Sequence, residues 1–293
     1  MASVSIGAAE ALLEKQIQQV TSRAPAHIVV LAGPTDSGKT TLLLSLYHSF
    51  LGGNVAGYRF AWSDTLIGFE RRSHLWRIAS GQESPATVHT SETTEPGAYL
   101  HLRVESTRDG TPREMLFTDW PGEWFTRAKN SAEECRELTV LRQAGRIAVF
   151  LDGAKLVDPS KRFVTQGEAI KFTQRIFDEG MVRLATPIDF VVTKWDIVVQ
   201  SLGKTEAEAR IGQLREELSR RFMSRRSEIN LWPTAARPDA AHAQVRRGYG
   251  LNSMFKAWAS FQRGYPADQD TVSASVEPVR HFDRFSASRM ARG

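Results

Sequence analysis

Apolar runs and amphipathic stretches alternate along most of this chain. Residues 27–32 (HIVVLA) are an apolar run short enough for a buried strand, and TLLLSLYHSF after them has the composition of a helix. Residues 99–105 (YLHLRVE) alternate apolar and polar positions, which predicts a half-exposed strand, and 114–118 (EMLFT) predict the next one. Further strands are predicted at 146–151 (RIAVFL), 187–193 (PIDFVVT) and 229–232, with helices at 131–144, 166–182, 205–226 and 251–262. Residues 6–20 (IGAAEALLEKQIQQV) predict a short amphipathic helix ahead of the core. Residues 53–82 are ambiguous, with an aromatic-rich centre that suits an inserted strand or helix pair. Residues 84–97 are rich in Ser, Thr, Pro and Gly and predict a loop.

Strands alternating with helices predict an α/β fold with a mostly parallel central sheet and helices on both faces. The expected organisation is an N-terminal helical extension over 1–24, one domain over 25–262 with an insertion near 53–85, and a flexible tail over 263–293.

Composition narrows the picture. The 293 residues are 41% hydrophobic and 24% charged, which excludes wholesale disorder. The one cysteine, Cys135, cannot form an internal disulfide, and no apolar run is long enough to span a membrane. The first twenty residues carry Glu10 and Glu14 and lack the features of a signal peptide. A cytoplasmic location follows as the expectation. The net charge of +5 is mild. Arginines cluster between Arg210 and Arg247, but Glu206, Glu208, Glu216 and Glu217 interleave with them. A solvated helix face explains that mixture better than a nucleic-acid surface.

The segment Gly33-Pro34-Thr35-Asp36-Ser37-Gly38-Lys39-Thr40 fits G-x-x-x-x-G-K-[ST] between a strand and a helix. Gly33 and Gly38 permit the tight curl that aims the loop's N–H groups, those of Asp36 and Ser37 among them, at phosphate oxygens. The following helix adds the positive end of its dipole, with Thr41 on its first turn. Lys39 offers a cation to the β- and γ-phosphates, and the Thr40 hydroxyl is a hard oxygen ligand suited to Mg²⁺.

A phosphate loop alone selects neither base nor reaction. Asp119-Trp120-Pro121-Gly122 closes the strand EMLFT and reads D-x-x-G. A carboxylate there can hold Mg²⁺, directly or through water, and the Gly122 N–H can approach a γ-phosphate. The plainer reading is a Pro-Gly turn. Thr193-Lys194-Trp195-Asp196 closes the strand IDFVV. Asp196 could accept from the N1–H and N2–H₂ of guanine, a donor pair adenine lacks. The stem of Lys194 could cover the purine face. The plainer reading is an aspartate capping a helix. In Thr234-Ala235-Ala236, a free N–H at Ala235 could reach guanine O6, although a generic loop would look the same.

The ordered set GPTDSGKT, DWPG, TKWD and TAA resembles the motif pattern of translation-factor-related and Ras-like (TRAFAC-class) P-loop GTPases, over about residues 27–262. TKWD departs from the commoner N-K-x-D by Thr193, and TAA lacks the usual lysine of S-A-K. The tryptophan-rich DWPGEWF and the long insertion look like the bacterial double-GTPase family. The resemblance implies a P-loop NTPase three-layer sandwich, GTP/GDP and Mg²⁺ as ligands, and a switch acting beside protein partners: a regulator or second GTPase, and an effector, in a conflict or signalling system. It also implies a switch threonine, for which Thr90, Thr93 and Thr94 are candidates. Thr94, nearest the strand YLHLRVE, is preferred as a metal ligand.

Lys39 and Asp119 lie 80 residues apart, far more than in small Ras-like proteins. The surplus near 53–85 is either a partner surface or a satellite core built on Trp62, Phe69 and Trp76. GTP hydrolysis asks the protein mainly for positioning and charge neutralisation, so Lys39 is the first catalytic candidate. Glu123 stands where many small GTPases carry the water-orienting glutamine. A carboxylate beside a polyanionic nucleotide is repelled, which predicts slow intrinsic hydrolysis unless a partner helps; otherwise Glu123 turns away toward Arg127. The rivals are an ATPase or kinase, a nucleotide-binding module without turnover, and a nucleic-acid-linked GTPase. His48 and His101 are read as structural.

Overall fold

A computed structural model describes residues 9–22, 24–78, 98–183, 185–225, 227–238 and 245–260, with the side chains of 14, 19 and 74–78 left aside. The element order is α1 (Glu14–Thr21), β1 (Ala26–Ala32), α2 (Lys39–Leu51), β2 (Tyr58–Trp62), α3 (Leu66–Ile78), β3 (Tyr99–Ser106), β4 (Pro112–Thr118), α4 (Gly122–Asn130) and α5 (Ala132–Glu137). It continues with β5 (Arg146–Asp152), α6 (Gly153–Val157), α7 (Arg162–Asp178), β6 (Ile188–Thr193), α8 (Trp195–Leu202), α9 (Lys204–Phe222), β7 (Ile229–Pro233) and α10 (Leu251–Ala259).

The seven strands form one sheet in the order β2-β3-β4-β1-β5-β6-β7. The pairs from β4 through β7 are parallel, and β2-β3 and β3-β4 are antiparallel. All of β5 and β6 is buried, as parallel strands covered on both faces require. Alternate residues of each strand feed two cores. On one face Val29, Leu31, Phe117, Phe150 and Val191 pack against α2, α3 and α10. On the other, Ile28, Val30, Leu116, Val149 and Phe190 pack against α1, α4, α5, α7, α8 and α9. This is the expected three-layer α/β sandwich. One compact unit runs to Ser260.

Several local expectations change. Helix α1 begins only at Glu14, and the segment before it pairs Leu12 with Tyr99 in an isolated bridge. Leu12, Ile17 and Val20 are buried in the main core, so the described part of the extension is integral to the domain. Strand β3 is not half-exposed: Tyr99 through Leu102 are all buried. Its polar member His101 survives burial because Nε2 lies 2.8 Å from Glu114 Oε2 and Nδ1 accepts from the Asp64 N–H at 3.0 Å.

The helix predicted over 131–144 breaks at Leu138, where the chain turns into a 3₁₀ segment, Thr139–Gln143, that buries Val140 and Leu141. The insertion resolves into β2, added at the sheet edge, and α3. Phe69 does not sit in a satellite core. It stacks on Tyr47 of α2 at 4.8 Å and belongs to a main core, while Trp62 donates its Nε1–H to Asp64. The Trp76 side chain, the loop 84–97 and the tail 263–293 lie outside the described residues.

Candidate functional site

All four motifs fall at the C-terminal ends of strands β1, β4, β6 and β7, the edge where open α/β sheets bind ligands. The phosphate loop follows β1. A Cβ on Gly33 would stand 2.7 Å from Phe150 Cβ, so only glycine fits there. Asp36 and Gly38 both have positive φ, 63° and 91°. Gly38 caps α2 without any side-chain acceptor. The helix that carries Thr40 and Thr41 on its first turn therefore starts with no side-chain cap, an arrangement that suits an anion. The Ser37 hydroxyl is buried without a hydrogen-bond partner among the described residues. A glycine-shaped cradle, an orphan hydroxyl and an uncapped helix start together fit a nucleotide's phosphates. The hydroxyl of Thr40 and the buried carboxylate of Asp119 are hard oxygen donors that fit Mg²⁺. Thr94 lies outside the described residues.

Lys39 lies partly buried and folds along its own loop, donating to the Gly33 and Pro34 carbonyls at 2.7 and 3.0 Å. Burial pushes its pKa down to about 8, against the opposing pull of Asp119, Glu123 and Asp36.

The DWPG segment packs directly on the phosphate loop. A Cβ on Gly122 would come 2.1 Å from the Thr35 nitrogen. Gly122 also starts α4, a helix that pattern reading had treated only as a motif. The tryptophan-rich sequence has a packing cause: Trp120 and Phe125 are buried in one core, and Phe125 meets Phe172 at 4.7 Å. Glu123 turns toward the loop, where its Oε1 accepts from the Thr35 hydroxyl at 2.9 Å. This replaces the alternative orientation toward Arg127, whose guanidinium lies 3.9 Å from Glu134.

TKWD is bolted to the loop from the other side. The Thr193 hydroxyl donates to the Ser37 carbonyl at 2.8 Å. Lys194 takes a left-handed backbone, φ 52°, and its amine pairs with Asp152 at 2.8 Å. Asp196 is buried in the first turn of α8. The Trp195 N–H donates to the Thr234 carbonyl, and Ser45 of α2 donates to the Ala236 carbonyl, so TAA is tied to both neighbours. Ala235 corrects one expectation. Its N–H donates to the Tyr249 carbonyl at 3.1 Å and is not free to meet guanine O6. The hairpin-like return of 245–250 beside β7 supplies that acceptor.

Three residues here escaped sequence reading. Asp152 ends β5 as an aspartate at a strand terminus, the same signal that marked Asp119 and Asp196, and could have been found. Thr35 was visible only as a variable loop position. Arg72 of α3 meets Asp119 at 2.5 Å, and nothing local announces it.

Elsewhere the arginine-rich stretch behaves as a solvated face: Arg210 pairs with Glu206 and Arg225 with Asp178. Arg226 lies outside the described residues. Burial pushes the Cys135 thiol up to about 11, which removes it as a nucleophile. Among the described residues no helix is long and apolar enough to cross a membrane.

A glycine-lined phosphate loop at the carboxyl edge of this sheet, with a D-x-x-G segment against it, is the arrangement of a P-loop NTPase fold. The chain belongs to the Double-GTPase 2 family, whose family model matches residues 27–259. No curated protein matches its sequence. Among solved structures it is similar to the signal recognition particle receptor SRb-GTP/SRX complex from Chaetomium thermophilum, at 18% identity and TM-score 0.44, covering 80% of this chain and 97% of that one. It is also similar to the S. cerevisiae Ski7 GTPase-like domain bound to GTP, at 12% and 0.45, covering 84% and 53%. A GTP-binding protein from Sulfolobus solfataricus in complex with GDP matches at 14% and 0.34, covering 76% and 50%. The chain thus spans about half the length of the latter two.

Proposed function

We propose that the chain is a guanine-nucleotide switch with slow intrinsic GTP hydrolysis. The observation that carries this reading is the wiring of four motif loops into one edge, with the Asp196 carboxylate buried in the first turn of α8. Gly33, Asp36, Ser37, Gly38, Lys39, Thr40 and Thr41 would hold the phosphates. Thr193, Lys194 and Asp196 would form the guanine end. Mg²⁺, which neutralises phosphate charge when bound, would be held by Thr40 and Asp119, with Thr94 as the switch threonine.

In this reading Lys39 leaves the loop carbonyls for the β- and γ-phosphates, and Gly122 presents its N–H to the γ-phosphate. Loss of that phosphate frees the segment. Glu123 is a poor activator of water beside a polyanion, so a partner protein raises turnover. The resemblance supports a bacterial conflict or signalling setting with a second GTPase, in the cytoplasm.

The test is affinity for GTP, GDP and ATP with Mg²⁺, on the wild type and on Asp196→Asn. Preference for guanine nucleotides, lost by a factor of about ten or more in the variant, supports the switch; about 1.4 kcal/mol per decade is the scale. Equal ATP binding unchanged by the substitution assigns the site to an ATPase or kinase. The Thr35–Glu123 bond favours a second reading, a module that binds GTP without turnover. Multiple rounds of phosphate release would exclude it.

A further inference from the structure

The guanidinium of Arg72 joins three segments far apart in sequence. Its Nη2 donates to Asp119 Oδ2 at 2.5 Å. Its Nη1 donates to the Gly68 carbonyl at 3.0 Å and to the Glu10 carbonyl at 3.3 Å. Neighbouring Arg71 forms an ion pair with the Glu10 carboxylate. Gly68 packs against the Glu10 backbone with no room for a Cβ.

The start of α3 is fixed as well. Ser63 donates to the His101 carbonyl at 2.7 Å, and the His101 N–H donates to the Thr65 hydroxyl at 2.9 Å. The helix carrying Arg72 is therefore anchored to β3 and to the N-terminal segment. Its guanidinium arrives on Asp119 by construction, in a contact where the Asp119 side chain is 5% exposed and that of Arg72 22%.

Asp119 has one negative charge to offer. The guanidinium takes one of its oxygens in a charge-assisted bond. A divalent cation held by Thr40 and Asp119 would draw on the same charge and would be repelled by the guanidinium already bonded to that carboxylate.

We propose that Arg72 is a positioning residue of the phosphate site: by holding Asp119 it competes with the divalent cation, so the inserted helix α3 sets how much Mg²⁺ the nucleotide complex requires. The insertion then acts as an internal tuner of the site. A ligand or partner that shifted α3 or the Glu10 segment would alter cation affinity without touching the nucleotide. This inference rests on the guanine-nucleotide reading above.

The experiment is a Mg²⁺ titration of GDP binding, followed with a fluorescent GDP analogue on the full chain, for wild type, Arg72→Gln and Arg72→Lys. Arg72→Gln is expected to reach half-saturation at roughly tenfold lower Mg²⁺, equivalent to about 1.4 kcal/mol. Arg72→Lys keeps the charge but loses the fork, so its midpoint falls between the two. If the Gln variant does not fold, the Lys variant decides alone by the same criterion. Normal GDP binding with an unmoved midpoint overturns the competition and leaves the switch reading standing. So does an unmoved midpoint with slower single-turnover hydrolysis, which would place the guanidinium on the phosphate instead. A wild type that binds no guanine nucleotide overturns the switch reading and this inference with it. A purely structural Arg72 would lower thermal stability and leave the midpoint where it was.

Discussion

Replacing Thr193 with valine isolates the bolt between the TKWD segment and the phosphate loop. Valine nearly keeps the shape and replaces the hydroxyl donor with a methyl group. In the structure that hydroxyl lies 2.8 Å from the Ser37 carbonyl and 3.3 Å from the Leu151 carbonyl. One proton serves one acceptor well, and the shorter contact is the bond. Both Thr193 and Ser37 are buried, so the Ser37 carbonyl gains no water when its donor disappears. An orphaned buried acceptor costs about 1–3 kcal/mol, and that is the expected loss in unfolding free energy. Urea denaturation of nucleotide-free protein, followed by tryptophan fluorescence, measures it, with the slope unchanged. The same substitution should weaken GDP binding, because Ser37 lies in the middle of the phosphate cradle. Thr193→Asn, which installs the commoner residue of N-K-x-D, carries an N–H donor and should restore most of both. Stability within about 0.5 kcal/mol of wild type, the range of an ordinary surface change, together with unaltered GDP affinity, would refute the bolt.

Gly122→Ala would place a Cβ 2.1 Å from the Thr35 nitrogen and 2.5 Å from the Pro34 carbonyl carbon, backbone atoms that cannot swing aside. The DWPG segment must lift, and GTP affinity should fall by about fivefold or more on a cost of roughly 1–3 kcal/mol; calorimetry showing less than a twofold change argues that the contact is idle. Lys39 has a folded-state pKa near 8, below its ordinary 10.5. Between those values the unfolded chain binds more protons, so the stability of nucleotide-free protein should rise from pH 8 toward pH 10. Lys39→Met should abolish that rise in paired denaturation curves. Arg146→Met leaves the buried Asp189 carboxylate, among the described residues, with the Trp258 and Asn230 N–H donors, and should cost about 3–5 kcal/mol in unfolding while leaving guanine preference intact. A drop under 1 kcal/mol, on the scale of an exposed pair, would show that the network compensates.

Much of the fold was legible because its strands bury both faces. HIVVLA, RIAVFL and IDFVV are apolar throughout, and burial alone accounts for them. The phosphate loop was legible because its chemistry is local: glycines at the turn, lysine and threonine at the helix start. Helices α6 and α8 were not legible, since GAKLV is only five residues and Ile197, Val198 and Val199 have the composition of a strand. Packing against neighbouring helices overrides that weak propensity. His101 misled in the same way, because a polar residue reads as exposed until Glu114 and Asp64 are placed around it.

Local order in the chain therefore prescribed which loops carry the motifs and in what sequence they follow their strands. It could not prescribe what those loops touch. Thr193 on Ser37, Glu123 on Thr35, Ala235 on Tyr249 and Arg72 on Asp119 join residues separated by 14 to 156 positions. Contacts of that span exist only once the sheet has brought its strand ends together. Their strength comes from the burial that the closed core imposes, a property no single segment carries.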